Sequence, residues 1–399
     1  MFWFLVPERL THVLWPTLFA MSRTARLYAC FPFAFLLMVG GPARAQWAME
    51  DSHTTADLRG IDNVGAGVAW ASGTNGTVLR TEDGGYVWQT CTIPPDAEHL
   101  DFRGIQAFDA NTAIVMSSGK GDLSRLYKTT DGCHTWKLVF TNPDEVGFFD
   151  AIYQAEDKNL YVLSDPVNGA FQIFIAEAAG ESWFVAGEAG REAHQGDTAF
   201  AASNSAFTSS GSILMFGTGG AATAYVYTTG VKCSPTPGHP NGPAIFDCTI
   251  GWRSAAAPVG SGSATSGIFS LAARPFTAKS GLQTAIVIAV GGAYDQPDDA
   301  SRNSAFSTDG GTNWTAATTL PYGFRSSVAF DAASKTWITV GPNGTDISTD
   351  DGRNWRALHP DGAMHEAADA DKNWNALSLP FVVGPHGRIG KLNAKGLVH

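Results

Sequence analysis

The stretch Ser307-Thr308-Asp309-Gly310-Gly311-Thr312-Asn313-Trp314 decides the fold, because it comes back. It recurs as Ser348-Thr349-Asp350-Asp351-Gly352-Arg353-Asn354-Trp355 and as Thr81-Glu82-Asp83-Gly84-Gly85-Tyr86-Val87-Trp88. A weaker copy is Thr129-Thr130-Asp131-Gly132-Cys133-His134-Thr135-Trp136, with Cys133 in the second glycine's place. The shared pattern, Ser/Thr-x-Asp-x-Gly-x-x-Trp, reads as a hairpin turn. The Asp carboxylate accepts hydrogen bonds from N–H groups inside the turn, and Gly supplies a residue of positive φ. The Trp then starts an outer strand and buries its ring against the turn. Asp83, Asp131, Asp309 and Asp350 are therefore expected to fasten turns and not to catalyse.

Working outward, tryptophans recur at 88, 136, 183, 252, 314 and 355, in steps of 48, 47, 69, 62 and 41 residues. A period near 40–50 with several short strands per unit is the signature of propeller blades. Each unit opens alike, as in Leu58-Arg59-Gly60-Ile61, Phe102-Arg103-Gly104-Ile105 and Phe149-Asp150-Ala151-Ile152. Blades are expected at about 57–92, 101–140, 148–187, 197–256, 265–318, 324–358 and 364–396. The last unit lacks a terminal Trp, and one stands instead at Trp47. The expected architecture is thus an all-β, seven-bladed propeller of four-stranded antiparallel blades. Segment 46–52 would supply the last outer strand, closing the ring and hiding both sheet edges. Residues 230–248, 255–266 and 293–303, rich in Gly, Pro and Ser, read as surface loops.

Composition agrees: 44 Gly, 24 Phe and 12 Trp in 399 residues, with only 16% charged, suit many short strands joined by glycine turns. Residues 1–45 read as an N-terminal extension and secretory signal, with Met1 and Met21 both standing as starts. Arg23 and Arg26 precede the apolar run Phe31–Val39, and Ala43-Arg44-Ala45 is a small-x-small cleavage site. The expected location is periplasmic or secreted. The run is too short for a confident membrane span, so none is expected in the mature chain, which is expected to be monomeric. Segment 1–45 holds four arginines and one glutamate, so removing its +3 from −11 leaves −14. That acidity excludes nucleic acid as the expected partner.

Four cysteines follow the signal. Cys233 and Cys248 flank a Pro/Gly-rich insertion and are expected to close it with a disulfide. Cys91 and Cys133 lie in neighbouring repeats, where a bridge and a free buried thiol are both open. No CxxC, CxxCH or HExxH spacing occurs, and no GxGxxG follows a strand, so no metal or cofactor is expected.

The turn motif is that called the Asp-box or BNR repeat. With the blade spacing, the export signal and the repeated Phe/Leu-Arg-Gly-Ile start, residues 47–396 resemble the photosystem II assembly and stability factors and their non-photosynthetic bacterial relatives. That resemblance implies a seven-bladed propeller that binds other proteins. Asp-box repeats also occur in sialidases and other glycosidases.

Blade geometry brings matching residues to one axis. Arg59, Arg103, Asp150 and Arg325 share a column, with His365 or Glu366 near it in the last blade. Three guanidinium forks and an acid form a candidate site for a carboxylate or other anion. A self-neutralising network, with Asp150 paired to Arg, is the plainer alternative. Asp165, Tyr294 and Asp295 are expected on the rim. The leading expectation is a non-catalytic propeller presenting its channel face to a protein or peptide, or to a small anionic ligand. The alternative is a sialidase-like glycosidase using Arg59, Arg103, Arg325 and Tyr294, although Gly-Ile follows Arg59 and Arg103 where sialidases have Ile-Pro.

Overall fold

The computed structural model describes residues 47–393 apart from 178, 188, 236–245, 279–280, 282, 361 and 363–365, and only the backbone within 231–250. The described residues form seven four-stranded antiparallel sheets. In six of them the strand order follows the chain; the first blade, for example, is Leu58–Gly65, Val68–Gly73, Val78–Thr81 and Gln89–Thr90. The seventh takes Ala376–Ser378, Phe381–Val383 and Ile389–Leu392 and adds Trp47–Glu50 as its outer strand. Trp47 pairs with Leu392 and Glu50 with Ile389, so the N-terminal segment closes the ring as its lone Trp implied.

The hydrophobic core is distributed between blades. Each of seven buried clusters mixes residues of two neighbours, such as Trp70 with Phe102, Phe171 with Phe216, and Trp337 with Val290. The seventh cluster joins Leu58 and Trp88 of the first blade to Phe381 and Val383 of the last. A sheet face buried against the next sheet on both sides leaves no apolar face uncovered, which is why these alternating strands form a ring.

The repeated turns are built as their chemistry requires. Asp309 Oδ1 accepts the Asn313 N–H at 2.9 Å, and the Ser307 hydroxyl accepts the Gly311 N–H at 2.9 Å. Asp83, Asp131 and Asp350 accept the matching N–H groups of Val87, Thr135 and Asn354. In the weak copy Cys133 holds φ 64°, the left-handed conformation the missing glycine would take freely, and its sulfur is bonded to Cys91. This disulfide settles the open alternative and ties the first blade to the second.

Two expectations need comment. Residues 230–248 are not simply a loop. Antiparallel pairing of Ala224–Pro235 with Phe246–Ala257 runs residue by residue into 230–235 and 246–248, so both strands extend beyond the blade's usual length. The expected Cys233–Cys248 disulfide falls on side chains outside the described residues; the backbone register sets the two positions opposite each other.

Candidate functional site

Four blades begin with the same irregularity. In the first, Leu58 pairs with Gly73 and Gly60 with Ser72, leaving Arg59 as an extra residue in a β-bulge. Arg103, Asp150 and Phe269 are the extra residues of the corresponding strands of blades two, three and five. A bulge re-aims one side chain without breaking the sheet. All four line one cavity of about 620 Å³. Every blade or its lead-in segment contributes to it, with Ala201 and Ala202 before the fourth, Ser326 before the sixth and Asn375 before the seventh. The glycine after each arginine is a packing requirement: a Cβ on Gly104 would lie 2.6 Å from Asn204 Oδ1, and one on Gly60 2.4 Å from Ser72 Oγ.

The segment Ser203-Asn204-Ser205 spans the axis and was not singled out by sequence. Asn204 accepts the Ile152 N–H and donates to Ile105 O, gripping blades three and two. Ser203 donates to Ser326 O, and Ser205 bonds Ser270 and Ser327, gripping blades six and five. Small hydroxyl residues suit a place where several strands converge, and their spacing carries no periodic signal that sequence reading could have used.

Arg59 and Arg103 converge on Asp101, at 3.5 and 2.7 Å, and their side chains keep 28% and 31% of their exposure. Arg103 also donates to Ala201 O at 3.3 Å. Asp101, just before the second blade's first strand, is a site residue that sequence reading passed over. Asp150 is 1% exposed, and neither carboxyl oxygen has a hydrogen-bond partner among the described residues. The nearby Asp165 N–H is committed to Phe148 O at 3.0 Å. Burial, and then the Asp165 charge, push the Asp150 carboxyl well above the usual carboxylate range, against the pull of Arg103 and of the nearby Asp165 N–H. Burial also raises Asp165, whose Oδ1 accepts from the Thr198 hydroxyl and, at 2.9 Å, from the Ala199 N–H. Aromatic rings line the same cavity. Phe200 stacks on Phe269 at 4.0 Å, and Phe324 and Tyr294 meet Phe269 edge-on at 4.7 and 6.1 Å.

The structure therefore brings together Arg59, Arg103, Asp150, Asp165 and Tyr294. It does not bring Arg325. The sixth blade's first strand begins only at Ser327, without a bulge. Arg325 is 1% exposed and turns back on Asp346, binding it through Nε at 3.0 Å and through Nη2. The three-arginine centre expected from the column is thus corrected to two arginines, and a sialidase-type triad is not assembled from these residues. Asp295 accepts a hydrogen bond from Thr265 at 2.7 Å and does not line the cavity. Glu366 is not among the lining residues either, and His365 lies outside the described residues.

Fold and cavity together define a closed seven-bladed propeller with a charged, aromatic-walled recess on its axis. The chain shares this fold with YCF48 bound to D1 peptide (TM-score 0.51, 17% identity, covering 86% of this chain and 96% of that one). It shares it also with YCF48 from Cyanidioschyzon merolae (TM-score 0.55, 15% identity, covering 88% and 99%). These likenesses agree with the photosystem II assembly factor resemblance read from the repeats. The GH74 xyloglucanase from Xanthomonas campestris aligns at 14% identity over 77% of this chain and 58% of its own, with a TM-score of 0.30. No family model and no curated protein matches the sequence.

Proposed function

We propose that this chain is an exported binding protein that takes part of a protein or peptide into its axial cavity. The observation that carries the reading is the cavity itself: bulges in four blades turn Arg59, Arg103, Asp150 and Phe269 toward one recess. A recess of about 620 Å³ has room for one or two side chains or a chain terminus. The guanidinium groups share a single carboxylate, Asp101, and retain N–H donors for a carboxylate of the partner. That a YCF48 structure of the same fold was solved with a D1 peptide supports peptide recognition here too. The Cys91–Cys133 disulfide supports export, because such bonds persist in oxidising compartments.

The test is selection of binders from a displayed library of random peptides, on immobilised wild type and on Arg103→Glu. Peptides enriched on wild type should bind the variant at least about tenfold more weakly, the scale of losing a charge-assisted hydrogen bond. Equal binding to both forms would remove the cavity from the reading.

A further inference from the structure

The cavity holds a carboxyl group that has no hydrogen-bond partner among the described residues. Three carboxyls, Asp101, Asp150 and Asp165, stand against two guanidinium groups, Arg59 and Arg103. Asp101 is paired with both arginines, and Asp165 accepts from Thr198 and Ala199. Asp150 is buried, and of the three it is the one with neither oxygen hydrogen-bonded or ion-paired among the described residues. Buried polar groups are almost always partnered, and an exception with an open cavity beside it marks where a ligand group belongs. With Asp150 ionised, the charges of these described residues fall one positive charge short of neutral, and the rings of Phe200, Phe269, Phe324 and Tyr294 line the same cavity.

Resting on the peptide-binding reading above, we infer that Asp150 receives an ammonium group of the peptide, a lysine side chain or an amino terminus, against this aromatic wall. An ammonium supplies three donors in a compact charge, fits a carboxylate at hydrogen-bond distance, and is further favoured over aromatic faces by the ring quadrupole. The recess is thereby bipolar, with a cation seat at Asp150 and an anion seat at Arg59 and Arg103. In the empty site the Asp150 carboxyl is held toward its protonated form by burial and by Asp165, with Arg103 opposing. Ammonium binding reverses that balance and expels the proton to solvent. Uptake is therefore accompanied by proton release, and affinity rises with pH across the Asp150 titration, the charges of Asp165, Arg59 and Arg103 being the others that face it.

The experiment is calorimetric titration of the full chain, of Asp150→Asn and of Arg103→Glu. The ligands are n-butylammonium, 1-butanol, acetyl-Gly-Lys-Gly-amide, triglycine amide, and acetyl-Gly-Ala-Gly with a free carboxylate. Wild type should bind n-butylammonium at least about tenfold more tightly than Asp150→Asn does, with heats that change with the buffer's ionisation enthalpy. 1-Butanol should not distinguish the two proteins. Preference for the lysine peptide or for triglycine amide assigns the source of the ammonium. Equal n-butylammonium affinity in both proteins overturns the inference. So does no ammonium binding while the free-carboxylate peptide still binds in an Arg103-dependent way, an outcome that leaves the peptide-binding reading intact. Thermal melting shows whether the near-isosteric variant is folded.

Discussion

At the scale of the residue, two arginines in equivalent-looking places have opposite fates. Phe324-Arg325-Ser326 reads like Phe102-Arg103-Gly104, yet Arg325 is locked to Asp346 whereas Arg103 faces the cavity. The difference is one bulge, and a bulge is a matter of cross-strand register that no single stretch of sequence displays. Asp150 carries its own stability consequence. Its folded carboxyl titrates above the unfolded value near 4. The folded state therefore binds the proton more tightly, and the contribution is most favourable at low pH. It is lost as pH rises from the unfolded value through the raised one. Asn at this position stays neutral throughout. Asp150→Asn should therefore gain stability over wild type as pH is raised from about 4 to about 8. The gain grows by about 1.4 kcal/mol per pH unit between the unfolded and the raised titration, because only the carboxyl must ionise in a buried place. Melting midpoints of both proteins across that range check it, and parallel curves would show that Asp150 is already satisfied.

At the scale of the element, the Ser/Thr-x-Asp turns were legible because their chemistry is local: an Asp, a hydroxyl and a glycine within eight residues satisfy one another. The Arg-Gly-Ile strand starts were legible as a repeat, but the reason for the glycine, close approach of Asn204 and Ser72, lies in distant segments. The departure at Cys133 was visible in sequence, whereas its bond to Cys91 depends on two blades being neighbours. That bond closes a separation of 42 residues, worth about 4 kcal/mol in the chain-entropy account. Keeping Cys133 at φ 64° costs about 1–2 kcal/mol that glycine avoids. Cys133→Gly should therefore melt below oxidised wild type but at or above reduced wild type. A scan with and without reductant separates these outcomes, and a variant melting below the reduced protein would show that the thiol's packing outweighs the backbone term.

At the scale of the whole molecule, a propeller is stable only as a complete ring, because each interface buries faces of two blades. The last blade is completed by a strand from the far end of the chain. Trp47 is 2% exposed, meets Trp374 at 6.0 Å and donates to Thr345 of the sixth blade at 3.2 Å. Glu50, three residues on, accepts from Trp88 of the first blade at 2.8 Å. One four-residue strand thus touches three blades. Trp47→Ala removes a large buried ring and should cost about 3–5 kcal/mol. Because Trp47 packs in the cluster shared by the sixth and last blades, its loss should loosen those two before the others. Hydrogen exchange resolved by segment tests this: amides of 336–348 and 376–392 should lose protection in the variant while those of 207–217 keep theirs. Uniform loss across all blades would mean that the ring unfolds as one unit, with no preferred seam. Loss confined to 376–392 would mean that the sixth blade stands without its neighbour.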